Sequence, residues 1–125
     1  METHLCVELE TNYFQTLEVN QGREFKGVKF LEKAELMNAS VLDKKTQGKI
    51  SDITSFLDDW IMVGGPPCQT FSSIGKKEFL NDPRGMLTPF FFKLVKKFRP
   101  RFFVFENVSM VGNKAGAELR NKIFQ

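Results

Sequence analysis

Two short apolar runs in the second half of the chain have the pattern of buried strands. Trp60–Val63 and Phe102–Phe105 contain no polar residue and are only four residues long, which suits a strand better than a helix. Strands that do not alternate between apolar and polar positions are typical of parallel sheets covered on both faces. We therefore expect both strands to be buried.

A helix is predicted between these two strands. Phe90–Phe98 is mostly apolar with lysines interspersed, and Thr88 is predicted to be its N-cap with Pro89 in the first turn. Pro100 ends the helix, because the residue before a proline is driven out of the helical conformation. The order strand, helix, strand predicts a right-handed βαβ unit in a parallel sheet. A further helix is predicted over Ala115–Phe124.

The first half of the chain has a weaker pattern. Leu5–Glu8 predicts a short strand that ends in an acidic residue, and Tyr13, Phe14 and Leu17 follow it at helical spacing. Val28–Phe30 predicts another short strand.

A polar stretch separates these elements from the strand at Trp60. Residues 38–50 are predicted to form a loop. A short helix is predicted to follow the loop, with Ser51 or Asp52 as its N-cap.

Length and composition place the chain among globular proteins. The 125 residues are 42 % hydrophobic and 26 % charged, which suits one modest domain over residues 1–125. The formal charge of +3 is too small to indicate a nucleic acid partner by itself. Fourteen phenylalanines beside one tryptophan and one tyrosine indicate core packing or a biased nucleotide composition rather than a recognition surface.

The cysteines and the lack of long apolar runs predict an intracellular protein. Cys6 and Cys68 are too few for a disulfide framework and are expected to be reduced thiols. No apolar run reaches the length of a membrane span and the N-terminus lacks signal-peptide features, so a cytoplasmic location is expected. His4 is the only histidine, and no cluster of metal-ligating residues predicts a metal site.

One cysteine occupies a position suited to reaction. Gly64–Ser72 follows the first predicted strand of the βαβ unit and carries Cys68 directly behind two prolines, through which neither helix nor strand continues. Glu106 and Asn107 close the second strand. Because parallel strands end at one edge of the sheet, where open α/β sheets bind ligands, Cys68 and Glu106 are predicted to face one cleft.

These motifs resemble the DNA (cytosine-5) methyltransferases of bacterial restriction–modification systems. The loop Gly64–Ser72 with its Pro-Cys-Gln and the strand end Glu106–Val108 are specific matches. Asp82–Leu87 is similar to the next block of the family, on the cofactor side. Glu8 and Asp52 look like the family's two cofactor-binding acids, a weaker match. The blocks occur in the family's order and cover most of the chain.

The resemblance implies a Rossmann-like α/β fold with a mostly parallel sheet and S-adenosylmethionine as cofactor. Glu8 would hold the ribose hydroxyls and Asp52 would meet the adenine, while Pro66 and Leu87 would also line the cofactor site. The family's glycine-rich Phe-x-Gly-x-Gly turn, its Gln-x-Arg-x-Arg block and its target-recognition region have no match in these residues. We therefore expect the chain to be a central, incomplete part of a catalytic domain.

The resemblance also implies a covalent mechanism. The Cys68 thiolate would add to carbon 6 of cytosine while Glu106 meets N3, so that carbon 5 can take a methyl group. Phe102–Phe105 is expected to supply the apolar surroundings that raise the pKa of Glu106. The partner would be double-stranded DNA with the cytosine flipped out, and the protein would be associated with the nucleoid if its source is a bacterium. Four residues are assigned to the DNA side: Gln69, Ser72, Arg84 and Asn107. Asn107 would also orient the loop that carries Cys68.

Three alternatives remain open. A tRNA cytosine-5 methyltransferase would use the same catalytic residues. A non-catalytic remnant, or a subunit that becomes active with a complementing polypeptide, would explain why the glycine-rich turn has no match. A thiol redox protein based on Cys68 is disfavoured, because no second cysteine lies nearby in the sequence to resolve a sulfenic acid.

Overall fold

The chain has a mixed α/β fold. The computed structural model describes residues 2–67, 87–106 and 121, and the chain divides into two compact units, residues 1–57 and 58–125. In chain order the elements are β1 (Leu5–Glu8), α1 (Thr11–Asn20), β2 (Glu24–Phe25), β3 (Val28–Lys29), β4 (Glu35–Asn38), α2 (Lys44–Thr54), β5 (Ile61–Gly64), α3 (Leu87–Phe98) and β6 (Phe102–Phe105).

The first unit contains a parallel pair of strands, β1 and β4. The register runs from Leu5 opposite Glu35 to Glu8 opposite Asn38, and α1 contacts both strands. The predicted strand over Leu5–Glu8 and the helix after it are confirmed. Strand β4 was not predicted, because its Glu-Leu-Met-Asn sequence has neither β-branched residues nor alternation.

Helix α2 lies where a loop was predicted. The prediction over residues 38–50 is wrong, since Asn38 ends β4 and the helix begins at Lys44. Ser51 and Asp52 lie in the last turns of α2, so the prediction that either caps a helix is also wrong.

The buried face of α2 is narrow, which explains why the sequence pattern did not predict this helix. Thr46 is 1 % exposed, and Ile50 and Ile53 follow it on the same helix face and are half-buried. A threonine takes the place of an apolar residue on this face, and most of the remaining positions are polar. The helix therefore has little of the hydrophobic periodicity that predicts a helix.

Strands β2 and β3 form an antiparallel hairpin with a two-residue turn. Glu24 pairs with Lys29, and Phe25 pairs with Val28. The turn residues Lys26 and Gly27 both have positive φ, 50° and 78°, as a type I′ turn requires. The strand predicted at Val28 is confirmed, although its partner β2 was not predicted.

The second unit is built on a parallel pair, β5 and β6, joined through α3. The register runs from Ile61 opposite Phe102 to Gly64 opposite Phe105. At the amino end of the pair, the N–H of Arg101 donates to the carbonyl oxygen of Trp60 with an N···O distance of 3.1 Å. Both predicted strands and their parallel pairing are confirmed.

Helix α3 ends where it was predicted to end but differs at its start. Thr88 lies inside the helix and is only 3 % exposed, so the prediction that it is the N-cap is wrong. The helix ends at Phe98. Arg99 then has a positive φ of 50°, and its N–H donates to the carbonyl oxygen of Val95 at 2.9 Å, a common way of ending a helix.

The β5–β6 pair is covered on one face within its unit. The rings of Phe91 and Phe92 on α3 pack against those of Phe103 and Phe105, with centroid distances of 5.0–6.2 Å. Burial on both faces was predicted and is wrong, since alternate residues on the other face are largely exposed. They are Ile61 (42 % exposed), Val63 (67 %), Phe102 (60 %) and Val104 (53 %).

Some predictions fall outside the described residues. Of the helix predicted over Ala115–Phe124, only Asn121 is described, and it is helical. Among the helices of the described part of the chain, none has both the length and the apolar character needed to cross a bilayer.

Candidate catalytic and cofactor site

The carboxyl ends of β5 and β6 bring Glu106 next to the start of the proline loop. The N–H of Glu106 donates to the carbonyl oxygen of Gly64 with an N···O distance of 3.0 Å, which extends the parallel ladder by one bond. A Cβ built on Gly65 would lie 3.1 Å from Glu106 Oε2 and 3.7 Å from Glu106 Cβ. The carboxylate of Glu106 therefore lies against the backbone of Gly65.

The adjacent glycine accommodates an aromatic ring. A Cβ on Gly64 would lie 2.7 Å from Phe91 Cδ2 and would also clash with Cε2 of the same ring. Phe91 is 7 % exposed and belongs to the core of this unit. The two glycines of the motif thus have different roles, since Gly64 admits a buried ring and Gly65 admits a carboxylate.

The sequence pattern indicated both glycines only as the start of a loop. It did not indicate that Phe91 packs against Gly64. The signal that could have found it is weak, because Phe91 is one of three consecutive phenylalanines on a helix rich in apolar residues. Which of the three faces the strand end depends on how the helix is rotated on the sheet.

Glu106 is exposed in this structure. The expected apolar surroundings from Phe102–Phe105 are not formed, because three of these four residues are themselves more than 40 % exposed. The prediction failed because β6 was expected to be covered on both faces.

Several predicted site residues lie outside the described residues. Cys68 is one of them, so the cleft that it was predicted to share with Glu106 remains a prediction. The residues assigned to the DNA side also lie outside the described ranges: Gln69, Ser72, Arg84 and Asn107.

Two residues expected on the cofactor side, Pro66 and Leu87, belong to the described part of the chain. Pro66 follows Gly65 and is half-buried. Leu87 is the first residue of α3 and is also half-buried. Pro66 lies at this edge of the β5–β6 pair, since it directly continues the chain beyond β5.

Glu8 lies at the carboxyl end of the other parallel pair, and Asn38 holds the turn that follows it. Glu8 Oε1 accepts a bond of 2.8 Å from the N–H of Glu10. Asn38 Nδ2 donates to the carbonyl oxygens of Glu8 and Leu9, both at 2.9 Å. Thr11 Oγ1 contacts Asn38 Oδ1 at 3.4 Å. Asn38 was missed by sequence reasoning because β4, which carries it, was not predicted.

Asp52 lies at the opposite end of that pair. It is an exposed residue of α2 and borders an open cavity of about 430 Å³. The cavity also includes His4, which precedes β1, and Glu35, which begins β4, so it lies at the amino end of both strands. The structure therefore does not bring Glu8 and Asp52 together, since four-residue strands separate the two ends by about 10 Å.

Side chains of both charges line this cavity. Lys49 Nζ lies 2.6 Å from Glu35 Oε2, which joins α2 to β4 by an ion pair. The lining residues are His4, Lys33, Glu35, Lys49, Asp52, Ile53, Phe56 and Leu57.

Cys6 is a half-buried thiol. Burial and, to a smaller extent, the charge of Glu8 raise the pKa of the Cys6 thiol above its ordinary value. Since the thiolate is the reactive form, this shift lowers the reactivity of Cys6. Within the described ranges there is no group of three or more His, Cys, Asp or Glu residues suited to a metal ion.

The chain matches one protein family over nearly its whole length. Residues 8–125 match the family described as C-5 cytosine-specific DNA methylase. The chain belongs to this family. The Pro-Cys-Gln loop, the Glu106 strand end and the β5–β6 pair lie within the matched residues, whereas β1 reaches them only at Glu8.

Curated relatives are bacterial type II methyltransferases. M.AquIA from Picosynechococcus sp. is 50 % identical over 48 residues, which are 38 % of this chain and 19 % of that protein. M1.HphI from Haemophilus parahaemolyticus is 42 % identical over 65 residues, or 50 % of this chain and 18 % of that protein. M.Sau96I from Staphylococcus aureus is 29 % identical over 110 residues, or 86 % of this chain and 22 % of that protein. The chain thus spans about one fifth of the length of these relatives. No solved structure matches it.

Proposed function

We propose that residues 1–125 form a Rossmann-like catalytic part of a DNA (cytosine-5) methyltransferase of the restriction–modification type. The observation that carries the proposal is the contact between the Glu106 carboxylate and Gly65 at the shared edge of two parallel strands. Three peptide units separate Gly65 from Cys68, a span of at most about 11 Å in any chain. The family match and the names of the relatives support the same reaction.

Cys68 and Glu106 are the proposed catalytic residues. The Cys68 thiolate forms a bond to carbon 6 of cytosine, and the electron pair of the 5,6 double bond moves toward carbon 5. Glu106 binds or protonates N3 and so stabilises the electron density that the thiolate introduces. After methylation, loss of the carbon-5 proton to a base returns its electron pair to the ring, and Cys68 leaves as a thiolate.

Glu8 is the residue of this chain that best fits a role in holding the cofactor. Its carboxylate lies at the carboxyl end of a parallel strand, and among the described residues the turn engages Oε1 through Glu10, so Oε2 can accept a ribose hydroxyl. Asp52 does not fit the same site in this structure, because it borders a cavity at the amino end of the strands. When bound, S-adenosylmethionine would supply the methyl group as an electrophilic sulfonium. Pro66 and Leu87 are proposed to line its site.

The DNA side of the site is assigned to residues that flank the catalytic pair in sequence. A cytosine within a duplex must be flipped out before a thiolate reaches carbon 6. Gln69, Ser72 and Arg84 are proposed to contact the displaced strand and its phosphates, and Asn107 to orient the loop. The family description names DNA, which favours DNA over tRNA as the substrate.

A covalent trap tests the proposed reaction. The chain is incubated with S-adenosylmethionine and duplexes that contain 5-fluorocytosine, in which carbon 5 cannot lose a proton, so that the Cys68 adduct persists. The second arm uses M.Sau96I in which the aligned segment is replaced by this chain; we refer to it as the chimera. We expect an adduct whose mass includes DNA and one methyl group, located on Cys68 by peptide mapping.

The matched variants are Cys68→Ser and Cys6→Ser. Cys68→Ser should abolish the adduct and Cys6→Ser should leave it unchanged. An adduct that persists in Cys68→Ser would remove Cys68 from the mechanism. Trapping by the chimera alone would assign the chain a complementing role, and no trapping in either arm would overturn the proposed function.

A further inference from the structure

The ring of Phe91 determines where the end of β5 lies. It occupies the space that a side chain at Gly64 would fill, with Phe91 Cδ2 only 2.7 Å from the position of a Cβ. The ring edge thus fills the side-chain position of Gly64, so the Gly64 backbone and the ring are close neighbours.

The ring itself cannot easily move. Phe91 is 7 % exposed, and its centroid lies 5.5 Å from that of Phe92, 6.2 Å from that of Phe103 and 5.6 Å from that of Phe105. A ring enclosed by other rings has few alternative rotamers. The position of the Gly64 backbone is therefore set by packing on the covered face of the strand pair, where α3 lies.

Gly64 transmits this position to the two groups next to it. Its carbonyl oxygen accepts the bond of 3.0 Å from the N–H of Glu106. Gly65 follows directly and contacts the Glu106 carboxylate. A shift of Gly64 therefore moves both the backbone of Glu106 and the start of the loop that leads to Cys68.

We propose that Phe91 is a positioning residue for the catalytic acid and the catalytic loop. Phe91 does not touch the substrate. Its ring fixes the position of Gly64, and Gly64 in turn fixes the distance between Glu106 and the start of the catalytic loop at Gly65. This role rests on the proposed function of Glu106 and Cys68, but the mechanical link from Phe91 to Glu106 does not.

Amide hydrogen exchange tests the mechanical link without any activity. Phe91→Val removes the three ring atoms nearest to the position of a Gly64 Cβ, and Phe91→Leu is a milder variant if Phe91→Val does not fold. The Glu106 amide is compared with the Arg101 amide, which donates to Trp60 at the other end of the same strand pair. We expect exchange at Glu106 to rise about tenfold relative to Arg101, because local opening is confined to the affected end.

Leu94→Ala is the matched control. Leu94 lies on the same helix and is 5 % exposed, but it is absent from the atoms closest to Gly64. Leu94→Ala should lower the unfolding temperature by a similar amount and change both amides alike. Equal acceleration of both amides in Phe91→Val would overturn the positioning role.

A rescue experiment isolates the contact between ring and glycine. Gly64→Ala should lower the single-turnover rate of methyl transfer by the chimera at least about tenfold, since small misplacements at a reacting centre have large effects. In the Phe91→Val background the same methyl group has space, so Gly64→Ala should have little additional effect. DNA affinity should be unchanged in all variants.

The outcomes separate the two proposals. An altered Glu106 amide with an unaltered single-turnover rate in Phe91→Val would overturn the positioning role while leaving the proposed function intact. A chimera inactive with the natural sequence would overturn the proposed function, whereas the exchange result would still decide the mechanical link. If Gly64→Ala had the same effect in both backgrounds, the ring contact would not be the cause.

Discussion

The carboxylate of Glu106 lies against the backbone of Gly65, with Oε2 only 3.1 Å from the position that a Cβ at residue 65 would take. The two residues follow different strands, and the bond from the Glu106 N–H to the Gly64 carbonyl oxygen holds the strand ends together. The proline loop that carries the proposed nucleophile thus begins beside the proposed catalytic acid.

Gly65→Ala tests how closely the site depends on this contact. The added methyl group should displace the carboxylate of Glu106 by a few tenths of an ångström, since the backbone of Gly65 does not have a positive φ and tolerates alanine. We expect the single-turnover rate to fall about 10- to 100-fold, while stability changes by less than about 1 kcal/mol because exposed Glu106 can move. Rapid-quench kinetics on the chimera and thermal unfolding of the chain would measure these two quantities. An unchanged rate would show that the position of Glu106 is not critical.

Gly48→Ala serves as the glycine control and carries its own prediction. Gly48 lies inside α2, and a Cβ there would have no atom within 4 Å. Alanine should therefore stabilise the first unit by about 0.5–1 kcal/mol through its higher helix propensity. Urea unfolding followed by circular dichroism would detect the gain, and a loss of stability would contradict the position of α2.

Glu106→Gln tests the chemical role of the carboxyl group. Glutamine keeps the size of the side chain but cannot give up a proton to N3, so the methyl-transfer rate should fall about 100-fold or more. Binding of DNA should change little, because the charge removed is on an exposed residue. The comparison requires rates at saturating DNA together with an equilibrium binding assay. A rate within a factor of about three of the original would exclude proton donation by Glu106.

Asn38→Ala tests the support of the Glu8 turn. Two hydrogen bonds from Asn38 Nδ2, to the carbonyl oxygens of Glu8 and Leu9, would be lost. We expect stability to fall by about 1–2 kcal/mol, since each exposed bond contributes about 0.5–1 kcal/mol. Cofactor affinity should fall with it, if Glu8 holds the ribose.

Asn12→Ala is the matched control for this variant. Asn12 is an exposed residue of α1, where alanine favours the helix. Unfolding by urea and titration calorimetry would compare the two variants. Equal stability of Asn38→Ala and Asn12→Ala would contradict the proposed support.

Cys6 gives the first unit a pH-dependent stability at alkaline pH. Burial, and after it the charge of Glu8, raise the pKa of its thiol in the folded state. Below the unfolded-state value of about 8.5 the thiol is protonated in both states and has no effect. As the pH rises above that value, the unfolded chain loses its proton first, so the free energy of unfolding falls until the folded pKa has been passed.

The measurement is urea unfolding between pH 8 and 10 in a Cys68→Ser background, which removes the other thiol. The decline should be at most about 1.4 kcal/mol per pH unit and should disappear in Cys6→Ala. If the free energy of unfolding still declined in Cys6→Ala, other titrating groups would be its cause.

Local pattern was sufficient for the elements around the catalytic motif. The two apolar runs, the Pro100 signal that ends the helix and the order strand, helix, strand all correspond to the structure. These features depend on neighbouring residues: apolar content favours a strand, and proline restricts the residue before it. The family resemblance, confirmed by the match to residues 8–125, rested on the same contiguous motifs.

The sequence by itself determined the parallel βαβ unit and the family, because both are encoded in short contiguous stretches. Tertiary structure alone decided that β4 pairs with β1, that Asn38 holds the turn after Glu8, and that Asp52 lies at the other end of those strands. It also decided which of three phenylalanines meets Gly64. These outcomes depend on strand register and helix rotation, which are set by packing between residues far apart in the chain and leave no local pattern.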